Sequence, residues 1–197
     1  MNLAMRISIL AFLGLVLGGC ASGVKMSEVK EAPVVAGADQ ATVVFMRSSF
    51  VGSVVSASVW DVTGPQAQFV GIINNGTQFH YPVAPGSHRF MVVSEAADFM
   101  EADVAAGKHY YAMITPRMGV WKARFSFDPQ TGAELDSADF KTWKSETTPV
   151  VLSPKAEAWA AKSKADAEKK RQEYWPKWTA KEAHQRESQS MKPADGR

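Results

Sequence analysis

The residue of this chain with the clearest nucleophilic chemistry is Cys20, the only cysteine among 197 residues. The reactive form of a cysteine is its thiolate, which can accept an alkyl group as a thioether. Cys20 closes the tetrad Leu17-Gly18-Gly19-Cys20, at the end of an apolar run over residues 7–17. A single positive charge, an apolar stretch of this length and small residues after it are typical of a secretory signal. A bilayer span needs about 20 apolar residues, so we predict a cleaved signal peptide over residues 1–19.

The tetrad resembles the lipobox of bacterial lipoproteins. This resemblance implies cleavage between Gly19 and Cys20 and a covalent diacylglycerol on the Cys20 sulfur, with acyl chains such as palmitate. Two or more acyl chains anchor a protein stably. Ala21 and Ser22 follow the cysteine without an aspartate, which by the same resemblance favours the periplasmic face of the outer membrane. The alternative is an ordinary secretory leader cut near Gly19, which would leave a free thiol in an oxidising compartment.

Other reactive side chains form no recognisable catalytic or metal-binding pattern. There is no Gly-x-Ser-x-Gly motif and no glycine-rich phosphate loop after the leader. The acidic pairs Glu95/Asp98 and Glu101/Asp103 lie on or beside predicted strands, where a solvated sheet edge is the simpler interpretation. None of the histidines has metal-site spacing; they are His80, His88, His109 and His184. We therefore expect no enzyme, no catalytic residues and no metal, with one alternative, a cleft that holds a small ligand or divalent metal through these histidines.

The charge distribution separates a mildly acidic body from a basic C-terminal part. Residues 20–152 contain 10 basic and 13 acidic side chains, whereas residues 153–197 contain 11 basic and 7 acidic ones. The surplus in the second part is modest, and no motif with interleaved aromatic and basic residues accompanies it. We therefore expect no nucleic acid partner. A hydrophobic content of 46% allows a substantial core.

The elements that position these residues are mostly strands. From residue 41 to residue 132, short segments rich in Val, Ile, Phe and Tyr alternate with Gly, Pro and Asn, which is typical of an all-β domain. Eight strands are predicted, over residues 42–47, 54–62, 68–73, 78–83, 88–94, 100–104, 109–115 and 120–127. We expect a mainly β fold, an antiparallel β-sandwich of about eight strands with a C-terminal helical arm. A small closed barrel is the alternative.

Several turns and their flanking strands resemble a family of bacterial lipoproteins whose domain is a PEGA-like β-sandwich. The matching segments are ATVVFMRSSFVG at 41–52, FVGI at 69–72, NGT at 75–77, VAPGSH at 83–88 and AAGKHYY at 105–111. The resemblance implies a sandwich over roughly 41–128 without assigned catalytic residues. Residues 61–66 depart from it, because they replace a compact turn. Asn75-Gly76 by itself predicts a type I′ hairpin turn.

The sequence after residue 132 predicts helices. Asp136 or Ser137 can cap a short helix within residues 133–152, with Phe140 and Trp143 on one side that docks on the sandwich. Ser153-Pro154 is a favourable start for a second helix. That helix belongs to a basic arm over residues 153–190.

The apolar row of the arm is mostly alanine, so we expect a largely solvated helix that Pro176 breaks or kinks. Residues 20–40 and 191–197 should be a lipidated flexible tether and a disordered tail. The one aromatic patch of the arm is a candidate partner contact, the alternative being that it packs on the sandwich; it consists of Tyr174, Trp175 and Trp178.

Together these features predict a non-enzymatic envelope lipoprotein. The lipid on Cys20 would attach the protein to the membrane. The sandwich and the helical arm would contact another component of the envelope, a protein or peptidoglycan. The alternative function is a periplasmic sensor or carrier that binds a small ligand or metal.

Overall fold

The structure is a computed structural model that describes residues 25–32, 37–49, 51–117 and 124–197. Strands dominate these residues, which confirms the mainly β prediction. The strands are β1 (Met26–Glu28), β2 (Ala41–Arg47), β3 (Ala57–Asp61), β4 (Gln68–Ile73), β5 (Thr77–Val83), β6 (Gly86–Val93), β7 (Ala97–Val104), β8 (His109–Arg117), β9 (Arg124–Pro129), β10 (Thr148–Leu152) and β11 (Ser190–Met191). The helices are α1 (Ala138–Glu146), α2 (Ala156–Thr179) and α3 (Ala183–Glu187), with 3-10 turns at Glu134–Asp136 and Pro193–Asp195.

The strands form two sheets that face each other. The first sheet has the order β1-β10-β5-β2-β8-β9, and the second sheet has the order β11-β7-β6-β3-β4. Three neighbouring pairs are parallel, namely β2 with β8, β10 with β5 and β11 with β7. The prediction of purely antiparallel sheets is therefore wrong, and the eleven strands of the described residues exceed the predicted eight. Parallel neighbours arise because the chain repeatedly changes sheets between consecutive strands, so β2 and β8 return to the first sheet in the same direction.

The core lies between the two sheets and is rich in aromatic rings. The buried Phe45 ring in β2 has its centroid 5.4 Å from that of Phe79, 5.2 Å from Phe90 in the second sheet and 5.9 Å from Phe127. Successive side chains of a strand point to opposite faces, so alternate residues supply this layer. Phe125 and Phe127 in β9 are buried, and Ser126 between them, which strict alternation would place on a wet face, is only 2% exposed. The beginning of that predicted strand, residues 120–123, lies outside the described residues.

The turn at Asn75-Gly76 is not the predicted hairpin. The strands on its two sides, β4 and β5, belong to different sheets. A type I′ turn needs a positive φ at both central positions, but among the described residues only glycines have one. Gly76 has a φ of 72°. Asn75 and Gly76 therefore connect β4 of the second sheet to β5 of the first sheet.

Part of the expected tether is a strand of the first sheet. Residues Met26–Glu28 pair antiparallel with β10, in register from Met26 opposite Leu152. Met26 is 7% exposed and belongs to the core between the sheets. The folded body therefore begins before residue 41, because Met26 supplies one apolar side chain to a core whose other residues lie far along the chain.

The short helix α1 forms as predicted. The Ser137 side chain accepts a hydrogen bond from the Phe140 backbone N–H, which is an N-cap. Phe140 packs edge-to-face on Tyr111 of β8, with 5.0 Å between ring centroids, and seals the outer face of the first sheet. The following connector contains the unpredicted strand β10, which adds to the edge of β5 in parallel.

The C-terminal part is not a solvated arm with a disordered tail. Helix α2 lies on the outer face of the second sheet, where Ala156, Ala167 and Trp178 are buried. The helix continues through Pro176 to Thr179, so this proline does not end it. The expected tail contains Met191, the second residue of β11, and a 3-10 turn, and its residue Arg197 exchanges two backbone hydrogen bonds with His109. The small alanine side chains that suggested solvation instead allow close approach of helix and sheet.

Candidate functional site

A groove of about 800 Å³ opens between α2 and one end of the second sheet. Its apolar surface comes from five separate segments of the chain, with Met26, Val55, Ala57, Trp60, Ile72, Val93, Trp159 and Ala167. Its polar rim consists of Lys25, Ser56, Ser58, Asn74, Ser94, Glu95, Lys162, Ser163, Asp166 and Lys170. Small-molecule sites typically have about 300–1,000 Å³ and combine an apolar lining with few polar groups. The volume of the groove falls within this range, and its lining combines eight apolar residues with ten polar ones.

The rim of the groove carries more positive than negative side chains. Three lysines and two carboxylates line it. The Nζ atom of Lys170 lies 2.7 Å from Oδ2 of Asp166, so this pair is neutral overall. The Nζ atom of Lys25 lies 5.5 Å from the centre of the Trp159 ring, in a cation–π contact. The remaining lysine is the exposed Lys162. This arrangement suits a ligand with an apolar body and an anionic head.

The wall of the groove is fixed by hydrogen bonds between α2 and the loop after β3. The Arg171 guanidinium donates to the carbonyl oxygens of Val62 at 3.3 Å, Gly64 at 2.9 Å and Pro65 at 3.1 Å. Lys164 donates to the Gln66 side chain at 2.8 Å. The carbonyl groups of this loop therefore form the seat for α2.

The candidate partner contact of Tyr174, Trp175 and Trp178 packs mainly against the second sheet. Trp178 is 2% exposed, and its ring stacks on Trp175 with 5.2 Å between centroids. Trp175 meets Phe99 edge-to-face at 5.1 Å, and the Arg89 guanidinium lies 3.8 Å from its ring centre on the other side. Tyr174 is half-buried. Trp178 cannot contact a partner unless α2 leaves the sheet.

A buried polar cluster holds the end of this helix. The Trp178 Nε1–H donates to Oε1 of Gln189 at 3.1 Å, and the Gln189 amide in turn donates to Asp98. Lys181 donates to both Asp98 and Gln189 at 2.7 Å. Since buried polar groups without partners are costly, this network fixes α2, β7 and the approach to β11 in one arrangement.

The four histidines are not gathered at one point. His80 and His109 lie on the first sheet with 6.4 Å between ring centroids. His88 lies on β6 of the second sheet, where Nε2 is 2.7 Å from the Ala84 carbonyl oxygen, and His184 lies on α3. Among the described residues, no group of three His, Cys, Asp or Glu side chains could hold a metal ion. The histidine form of the ligand-binding alternative has no support in this geometry.

Two of the buried titratable groups have shifted pKa values. Burial, followed by the charges of His109 and Lys144, lowers the pKa of His80. Burial and the nearby Asp61 carboxylate raise the pKa of Tyr81 to about 12. Both shifts favour the neutral form, because a charge is poorly solvated there. Neither group lines the groove.

Sequence reasoning did not identify the groove. Lys25 was assigned to the tether, and Trp159, Lys162 and Lys170 to a solvated arm. The sequence feature that could have indicated the groove was Trp159, a large apolar residue in a run of Ala, Lys and Glu. Cys20 and the cleavage residues Leu17, Gly18 and Gly19 lie outside the described residues.

No protein-family model matches the chain, and a search of curated proteins finds no significant match. Within the residues that the structure describes, no helix is long and apolar enough to cross a bilayer.

Proposed function

We propose that this chain is a non-enzymatic envelope lipoprotein, anchored through Cys20 to the outer membrane, whose sandwich binds a small amphipathic ligand in the groove beneath α2. The groove itself carries the proposal, because its volume falls within the usual range of ligand sites and its lining offers both apolar and polar side chains. A ligand-binding sensor or carrier is the alternative function predicted from the sequence, with histidines as the ligand contacts. In the present proposal the groove is the binding site instead.

Contact with another envelope component through the arm is the second candidate. The outward side of α2 is polar and available for it. The aromatic cluster contributes less than expected, because Trp178 is buried and Trp175 lies between Phe99 and Arg89. We therefore place ligand binding first.

Dodecanoate is a suitable probe, since it has an apolar chain and a carboxylate head. Ser163 lines the groove, whereas Ala161 lies on the same helix, is exposed and does not line it. We expect dodecanoate to quench or shift tryptophan emission, since Trp60 and Trp159 line the groove. Ser163→Phe should weaken binding at least about tenfold, which corresponds to about 1.4 kcal/mol. Ala161→Phe should leave it unchanged.

Two results would reject ligand binding in the groove. One is absence of binding by the unaltered protein, and the other is equal binding by the two phenylalanine variants. The anchor has a separate test. Cys20→Ser should abolish acylation seen by mass spectrometry and leave an unprocessed or soluble form, while the sandwich still folds.

A further inference from the structure

The exposed large apolar side chains of the described residues lie next to residues that line the groove. They are Val54 at 95% exposure, Val51 at 52% and Leu152 at 45%. Val51 and Val54 share a loop with Val55, which lines the groove, and Leu152 lies opposite Met26, which also lines it. Single exposed apolar residues are common, but Val51 and Val54 lie together in one loop beside the groove, and grouped exposed apolar side chains mark an interaction surface.

The loop is built to hold its valines outward. Arg47 is fully buried, and its guanidinium donates to the backbone carbonyl oxygens of Gly52 and Val55 on both sides of Val54. The same guanidinium lies 4.3 Å from the centre of the Phe125 ring. Gly52 adopts a φ of 67°, and the Val55 N–H donates to its carbonyl at 3.0 Å. These contacts fix the loop in a tight turn, so exposure of Val54 is a feature of the fold.

The surroundings of this loop carry a positive surplus. A second cavity of about 400 Å³ lies at the same end, between β9, the start of β7 and the last turns of α2. Seven basic and four acidic side chains line the groove and this cavity together. Arg117 and Arg124, which flank the hairpin of β8 and β9, belong to this set. Basic side chains near a bilayer are attracted by anionic headgroups.

The position of the anchor selects a bilayer as the occupant. Lys25 lies at the groove, five residues after Cys20. Five residues span at most about 18 Å when fully extended. A lipid on Cys20 therefore keeps the groove, which Lys25 and Val55 both line, within reach of the membrane. This step rests on the proposed lipid anchor.

We infer that the end of the sandwich with Val51 and Val54 docks on an anionic bilayer, where both valines enter the headgroup region and the surrounding lysines and arginines contact lipid phosphates. The mouth of the groove then opens at the membrane surface. An amphipathic molecule could pass between bilayer and groove without crossing bulk water.

A fluorescent probe at the loop tests the docking. The full chain with Val54→Cys, purified from membranes, is labelled with a polarity-sensitive fluorophore on the new thiol, because acylation blocks Cys20. It is reconstituted in vesicles of phosphatidylethanolamine and phosphatidylglycerol, or of phosphatidylcholine alone. We expect a blue shift and quenching by lipids with brominated acyl chains in the anionic vesicles, and a smaller effect in phosphatidylcholine. Ala84→Cys, at the exposed opposite end, is the matched control and should emit as in water.

A Val54 probe that emits as in water in both vesicle types would overturn the inference. So would a shift that depends on the protein-to-lipid ratio, since that would indicate contact with a second copy. If mass spectrometry shows an unmodified Cys20, the anchor proposal fails. Vesicles added to that unacylated protein, with its Cys20 replaced by serine before labelling, still test docking independently. Dodecanoate binding reports on the groove alone.

Discussion

Truncation of Trp178 measures how strongly α2 belongs to the folded body. Trp178 is 2% exposed, stacks on Trp175 and donates to Gln189. Replacement of a buried tryptophan by alanine removes its contacts and leaves a cavity, which costs about 3–5 kcal/mol. For a chain of this size each kcal/mol lowers the midpoint of thermal unfolding by about 2–4 °C. We therefore expect Trp178→Ala to lower that midpoint by about 6–20 °C.

The assay is thermal unfolding followed by circular dichroism, with two comparison variants. Trp178→Phe keeps an aromatic ring and removes one hydrogen bond to Gln189, whose Oε1 still accepts from Lys181, so it should cost about 0.5–1.5 kcal/mol. Gln172→Ala, on the exposed side of the same helix, should change the midpoint little. If Trp178→Ala behaves like Gln172→Ala, the docking of α2 described above is wrong.

Two further perturbations test other parts of the fold. Because the pKa of His80 is lowered in the native state, the unfolded state binds its proton first as the pH falls below 6.5. The free energy of unfolding should then decrease on acidification by up to about 1.4 kcal/mol per pH unit. His80→Gln should reduce this dependence on pH, measured by urea unfolding. If the variant and the unaltered protein show the same dependence, the pKa of His80 is not the cause. Gly196→Ala would place a Cβ in collision with the buried Tyr110 ring. We expect it to release the C-terminal residues and accelerate their removal by carboxypeptidase, and unchanged resistance would show that they are held otherwise.

The strands with alternating or continuous apolar patterns were predictable from sequence. The predicted strand at 68–73 coincides with β4, and β2 and β8 differ from their predictions by at most two residues. Each contains a run of apolar residues long enough to predict a strand, and in β2 all seven residues are buried. Strands β1, β10 and β11 have two to five residues and join sheet edges mainly through backbone hydrogen bonds. Such edge pairing leaves little side-chain pattern to detect.

The groove was not predictable for a related reason. It exists only where β1, the start of β3 and α2 meet, and two of these three elements had been assigned to solvent. For α2 the local pattern was misleading, since alanines and Arg171 separate the aromatic residues that contact the second sheet, Trp159, Trp175 and Trp178. The long stem of Arg171 reaches three backbone carbonyl groups. An arginine within the apolar row of a helix predicts that this face of the helix is exposed to solvent. Here the backbone carbonyl groups of a loop accept hydrogen bonds from the guanidinium instead.

Residues 190–197 have a consequence for when the protein can fold. Strand β11 completes the edge of the second sheet, and Arg197 pairs with His109 of the first sheet and with the Asp136 carboxylate. These contacts join residues 190–197 to residues about 60–90 positions earlier in the chain. Contacts between residues far apart in sequence form slowly. We therefore expect the edge of the second sheet and the contacts of Arg197 to be among the last parts of the fold to form.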